Sequence, residues 1–170
     1  MLILSGYAVR WNTLSSIIDK EDDPFYNVLN EPYYEKISPN AFKDSLNNNN
    51  QLVLIDHNFS REIGKASDYS LMLLEDDTGL KFQLQVKEDS LGISTFLKVL
   101  SLEITGVSIG FNPIEYVYEK IDGKNIRSIY KANLVEISLT NKPLYPLTSV
   151  MKGNKKQFLL SQIEKLIHQH

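Results

Sequence analysis

The chain has 170 residues, 18 Lys and Arg against 21 Asp and Glu for a formal net charge of −3, 42% hydrophobic residues and no cysteine. That length supports one domain with a sizeable core, and the slightly acidic balance argues against a nucleic-acid binder held by phosphate contacts. The missing cysteine excludes disulfides, thiolate zinc sites and thiol nucleophiles, and fits a reducing cytoplasm.

The opening segment Leu2–Trp11 mixes β-branched and aromatic residues around Gly6 and predicts a first strand. The start lacks a basic, apolar leader pattern, and no stretch approaches the ~18 apolar residues of a membrane span. Residues Asn12–Pro32 are polar, acidic at Asp19, Glu21, Asp22 and Asp23, and aperiodic, so they read as a long surface loop. Tyr33–Ile37 predicts a short strand. Ser38-Pro39 then predicts a helix start, with Ala41, Phe42 and Leu46 inside the helix and the Asn47–Asn50 run ending it.

The apolar run Leu52–Ile55 predicts a strand buried on both faces. Strands near Ser70–Leu74 and Leu80–Val86 flank the turn Asp76-Asp77-Thr78-Gly79. Ile93, Phe96, Leu97 and Leu100 fall at helical spacing behind Asp89 or Ser90, which predicts a helix over Ser90–Leu100. Ile104–Phe111, Glu115–Ile121, the Asp122-Gly123 turn, Ile126–Tyr130 and Ala132–Leu139 read as a β-meander. A Lys-rich linker (152–156) then leads to an amphipathic helix bearing Leu159, Ile163, Leu166 and Ile167. The elements make an α+β domain with a largely antiparallel sheet or barrel over 1–150, followed by a linker and helix over 151–170.

Three residues carry the chemistry. His168 and His170 lie at the very end, so His57 is the single histidine in the body of the chain, directly after a buried strand where a rigid scaffold can present it. Ser108 lies in Gly106-Val107-Ser108-Ile109-Gly110-Phe111, a serine in an apolar strand whose glycines permit close approach. A serine hydroxyl needs a neighbouring base before it is nucleophilic. Glu136, in Leu134-Val135-Glu136-Ile137-Ser138-Leu139, is either a solvent-face residue or the partner that orients an imidazole. Each of the three also has an ordinary reading, as a solvated histidine, a strand-face serine or a surface carboxylate. Glu75-Asp76-Asp77 is a carboxylate cluster of the kind turns collect, and is a weak cation site. No metal ligand set or cofactor loop is read from the sequence.

Taken in order, Gly6-Tyr7-Ala8-Val9, Tyr34–Phe42 with its Ser38-Pro39-Asn40-Ala41, Leu54–Asn58, Ile63-Gly64-Lys65, Gly79-Leu80, Gly106–Phe111, Leu134–Leu139 and Pro143-Leu144-Tyr145-Pro146 resemble the prohead (capsid maturation) proteases of tailed bacteriophages. The chain departs from that pattern at Asn40, where the family commonly has glycine, and at Leu144, where it has alanine. The resemblance implies an assemblin-like closed β-barrel with short surrounding helices and a serine endopeptidase that uses no cofactor. It implies His57 as base, Ser108 as nucleophile and Glu136 as third member, with the Thr140–Lys142 stretch as a candidate for oxyanion donors. The implied substrate is scaffold, or the scaffold-like segment of the major capsid protein, cut inside the assembling prohead in the bacterial host cytoplasm. Neither nucleic acid nor membrane is an implied partner; self-cleavage and a homodimer are left open. The alternative is a catalytically inactive module that binds capsid or scaffold.

Overall fold

The computed structural model describes residues 1–19, 21–23 and 28–167. Part of the 12–32 loop, at 20 and 24–27, therefore lies outside the described residues, as do His168 and His170. In chain order the elements are β1 (Leu2–Arg10), β2 (Tyr34–Ile37), α1 (Lys43–Leu46), β3 (Leu52–Ile55), β4 (Asn58–Lys65), β5 (Leu71–Glu75), β6 (Gly79–Val86), α2 (Ser90–Leu100), β7 (Gly106–Ile121), β8 (Lys124–Thr140), β9 (Ser149–Lys152) and α3 (Lys155–Ile167). The α+β reading holds.

One sheet runs β5-β6-β1-β9, with every pair antiparallel. The second is built around β8. Its hairpin partner β7 lies along one edge, joined through Asp122-Gly123 with both φ positive, which is the geometry of a tight two-residue turn. Along the other edge β2 pairs parallel with the first half of β8 and β3 pairs parallel with the second half, from Leu52↔Glu136 to Ile55↔Leu139. Between them the edge is still satisfied. The Ala132 N–H donates to the Ala41 carbonyl, and the buried Ser45 hydroxyl accepts from Leu134 N–H at 2.8 Å. The core draws on both sheets and α2, including Leu4, Phe82, Leu84, Phe96, Val107, Ile109, Ile137 and Leu139.

The closed barrel is not found among the described residues; there are two sheets. Closure would need β4 laddered to β6 and β7 to β9. At these corners Lys87 N–H reaches the Ile63 carbonyl at 3.4 Å, and Val107 N–H reaches the Thr148 hydroxyl at 3.0 Å, without a ladder at either.

Several local expectations are also corrected. The four-part meander is two long strands, because bulges at Pro113 to Tyr116 let β7 absorb its proline and continue. The helix after Ser38-Pro39 begins only at Lys43, since Asn40 takes a positive φ of 63° and interrupts a helical path there. β4 and β9 were not expected. The C-terminal helix turns its predicted apolar stripe outward: Leu159, Ile163, Leu166 and Ile167 are exposed, and Phe158 is instead fully buried with Ile3 and Met72.

Candidate active site

β3 and β4 are joined by a two-residue turn, Asp56-His57, with φ of 50° and 57°. Asn, Asp and His are the non-glycine residues that take this left-handed geometry most readily, so an Asp-His pair suits the turn. The turn is anchored from below. His57 N–H donates to Ser138 Oγ at 2.9 Å, Ser138 Oγ–H donates to Glu136 Oε2 at 2.7 Å, and Glu136 Oε1 meets His57 Nδ1 at 2.6 Å. These three contacts close a ring.

The ring orients the imidazole. With Nδ1–H donated to the carboxylate, the lone pair of Nε2 is the basic site. The His57 side chain is 49% exposed while that of Glu136 is only 4% exposed, so the base meets solvent and the acid does not. The hydrogen bond that His57 donates to Glu136 raises the imidazole above its usual 6.5, while burial opposes that rise.

Register brings Ser108 to the same place. Ser108 stands opposite Ser138, and Gly110 opposite Glu136, on neighbouring strands. Val107 and Ile109 point with Ile137 and Leu139 into the core, so Ser108 occupies the opposite face with Glu136 and Ser138. It is 5% exposed. Among the described residues no hydrogen bond joins Ser108 to His57; Ser138 is the residue that both adjoin. Catalytic hydrogen bonds are often long before substrate binds.

The flanking glycines have a reason beyond flexibility. A Cβ on Gly110 would lie 2.2 Å from Glu136 Oε1, and one on Gly106 would lie 2.6 Å from Pro143 Cγ. Each glycine therefore makes room for a neighbouring side chain at the site, one the carboxylate and the other the proline ring. Within Thr140–Lys142, the Lys142 N–H is already engaged by Thr140 Oγ1 at 3.2 Å. The Glu75-Asp76 carboxylates are likewise engaged, by Phe42 N–H and by the Tyr7 hydroxyl with Thr78 and Gly79 N–H. Among the described residues no group of three or more His, Asp or Glu could hold a metal ion.

A second polar cluster was not read from the sequence. Buried Glu35 takes both Arg127 Nε–H, at 2.5 Å, and Arg127 Nη2, and it accepts the Tyr145 hydroxyl. Arg127 Nη1 pairs with Asp23 at 2.7 Å, and Tyr33 donates its hydroxyl to Asp23. Burial pushes the Glu35 carboxyl above its usual range, while Arg127 and Tyr145 pull it back. Asp23 of the acidic loop is thus tied into the fold. Tyr33 and Tyr118 pack edge to face nearby.

A family model described as caudovirus prohead serine protease matches residues 1–161. No curated protein and no solved structure matches the chain.

Proposed function

Because the chain belongs to the caudovirus prohead serine protease family, we propose that it is the endopeptidase of capsid maturation, with Ser108 as nucleophile, His57 as base and Glu136 as the group that holds the base. His57 Nε2 takes the Ser108 proton while Oγ bonds to the carbonyl carbon of a peptide bond, and the carbonyl electrons move onto its oxygen. The C–N bond then breaks, and the departing amine takes the proton from His57. Water then gives a proton to the same imidazole as its oxygen bonds to the acyl carbon, the C–Oγ bond breaks, and His57 returns the proton to Ser108 Oγ. The observation that carries this reading is the ring His57–Ser138–Glu136 on the strand register that also holds Ser108.

The substrates in this reading are scaffold or the scaffold-like segment of the major capsid protein, and the protease itself, met inside the assembling prohead. Residues 1–150 make up the protease unit and 151–170 a C-terminal extension to it. Wild type and Ser108→Ala are each co-expressed with the capsid precursor, and products are read by mass spectrometry. Wild type is expected to trim the precursor and to be labelled at Ser108 by a serine-directed phosphonate; Ser108→Ala is expected to do neither. An intact precursor beside folded, unlabelled wild type would overturn the assignment in favour of an inactive binding module.

A further inference from the structure

α3 is held to the molecule by one side only. Phe158 is fully buried with Ile3 and Met72, Gln162 donates to the Tyr69 carbonyl at 2.8 Å, and Lys165 donates to Asn49 Oδ1 at 2.5 Å. At about 100° per residue, the opposite side of the helix is centred on Ile163 and also carries Leu159, Leu160, Leu166 and Ile167. These five are between 39% and 66% exposed. A surface helix normally turns one apolar stripe to the core and a polar face to water. A second apolar stripe on the outer side marks a surface that another protein covers.

The spacing selects the kind of surface that fits. Leu159, Ile163 and Leu166 step by four and then three residues, the rhythm of a coiled-coil seam. On this face Lys156, Leu159, Leu160 and Ile163 line a groove together with Lys155. Those four stand at i, i+3, i+4 and i+7, the frame of the hole that one knob from a facing helix fills. α3 supplies the knob itself. When two copies run antiparallel with Leu159 level with Ile163 of the other, each Ile163 enters the other's hole, and a twofold axis repeats every contact. Half-exposed side chains on one helix make a small interface, so the pairing is of micromolar strength.

Charge sets the direction. Lys155 and Lys156 stand in the first turn of α3, which holds no acidic residue, and the positive end of the helix dipole opposes them there. In the antiparallel register Lys156 lies level with Leu166 of the other copy. Its ammonium then meets the last turn of that helix, whose open carbonyls attract a cation. A parallel pair would instead set the two Lys156 side chains against each other on the seam. We infer that the outer face of α3 is a self-association surface, through which two copies of this chain pair antiparallel, Leu159 against Ile163. α3 packs on the first sheet and the proposed catalytic residues belong to the second, so each copy keeps a complete site of its own.

Sedimentation of the full chain is expected to show a reversible dimer that grows across the micromolar range. Ile163→Glu weakens it about a hundredfold, because each copy then presents a carboxylate to an apolar hole. Lys156→Glu weakens it about tenfold, yet on the dilute monomer leaves the melting temperature equal or higher, since a carboxylate suits its own helix start and opposes the other helix's end. Leu97→Glu, on the exposed face of α2, dimerises like the parent. The chain has no cysteine, so introduced thiols report the register. Under copper-catalysed air oxidation, Leu159→Cys chains mixed with Ile163→Cys chains are expected to form disulfide-linked dimers much faster than either alone. The inference is overturned if the chain stays monomeric, or floats as a monomer on anionic vesicles. Faster linkage of either thiol alone than of the mixture overturns it too, as does undiminished pairing by Ile163→Glu or Lys156→Glu, or loss of pairing by Leu97→Glu.

Discussion

His57 is placed by its own backbone as much as by its ring. Its N–H is fixed on Ser138, and Ser138 in turn fixes the second oxygen of Glu136, so one hydroxyl sets both ends of the base–acid pair. The pH consequences follow from the sign of the shift. The Glu136 carboxylate favours the protonated imidazole, so the acid limb of kcat/KM should lie above the ordinary 6.5. Glu136→Gln is expected to move that limb to lower pH and to reduce the maximum on the order of 10⁴-fold, as loss of the orienting carboxylate does in serine proteases generally. A pH–rate profile of both proteins checks this, and an unmoved limb would count against Glu136. Stability runs the other way. A histidine whose folded pKa is raised contributes stability that is full below about 6.5 and is lost as pH rises through the folded value. The pair therefore stabilises the fold most where the base is least able to act.

At the scale of elements, β8 does most of the organising. Its first half carries Arg127 and its second half Glu136, and each parallel neighbour supplies the partner: Glu35 from β2 beside Arg127, His57 just after β3 beside Glu136. The Arg127–Glu35 pair is buried, so removing one member leaves the other uncompensated. Arg127→Met should cost about 3–5 kcal/mol in urea unfolding, and the double variant with Glu35→Leu should recover part of that. Full additivity of the two changes would show the pair to be uncoupled. The sequence shows the elements whose patterns are local. β1, β3, the β5–β6 hairpin and α2 with its Asp89 cap stand close to where their periodicity and turn chemistry place them. β4 is hidden because Asn58–Lys65 is polar and charged at its exposed start, and becomes a strand by pairing with β3. The buried Glu35–Arg127–Asp23 cluster is hidden for a related reason. Acidic residues in an aperiodic loop look solvated until a distant arginine is brought to them. His57, Ser108 and Glu136 could be picked out individually, but Ser138 could not, because its role depends on strand register that no local pattern encodes.

At the scale of the whole molecule, the two sheets stay separate, meeting at corners joined by isolated hydrogen bonds. What binds the second sheet together is pairing across long stretches of chain: β3 to β8 spans some eighty residues, and the His57–Glu136 contact spans 79. Such non-local parallel pairing forms slowly, since loop closure comes before the contacts that reward it. In refolding from urea, hydrolytic activity is expected to return with the slowest phase in which β3 docks on β8, later than the helical signal from α2; recovery in step with α2 would contradict this. The same separation bears on timing in the cell. A chain still emerging from the ribosome holds its histidine long before the strand carrying its acid exists, and lacks its serine for most of that interval. In the proposed assignment a chain short of β8 lacks the carboxylate that orients His57, and is expected not to cut the proteins around it.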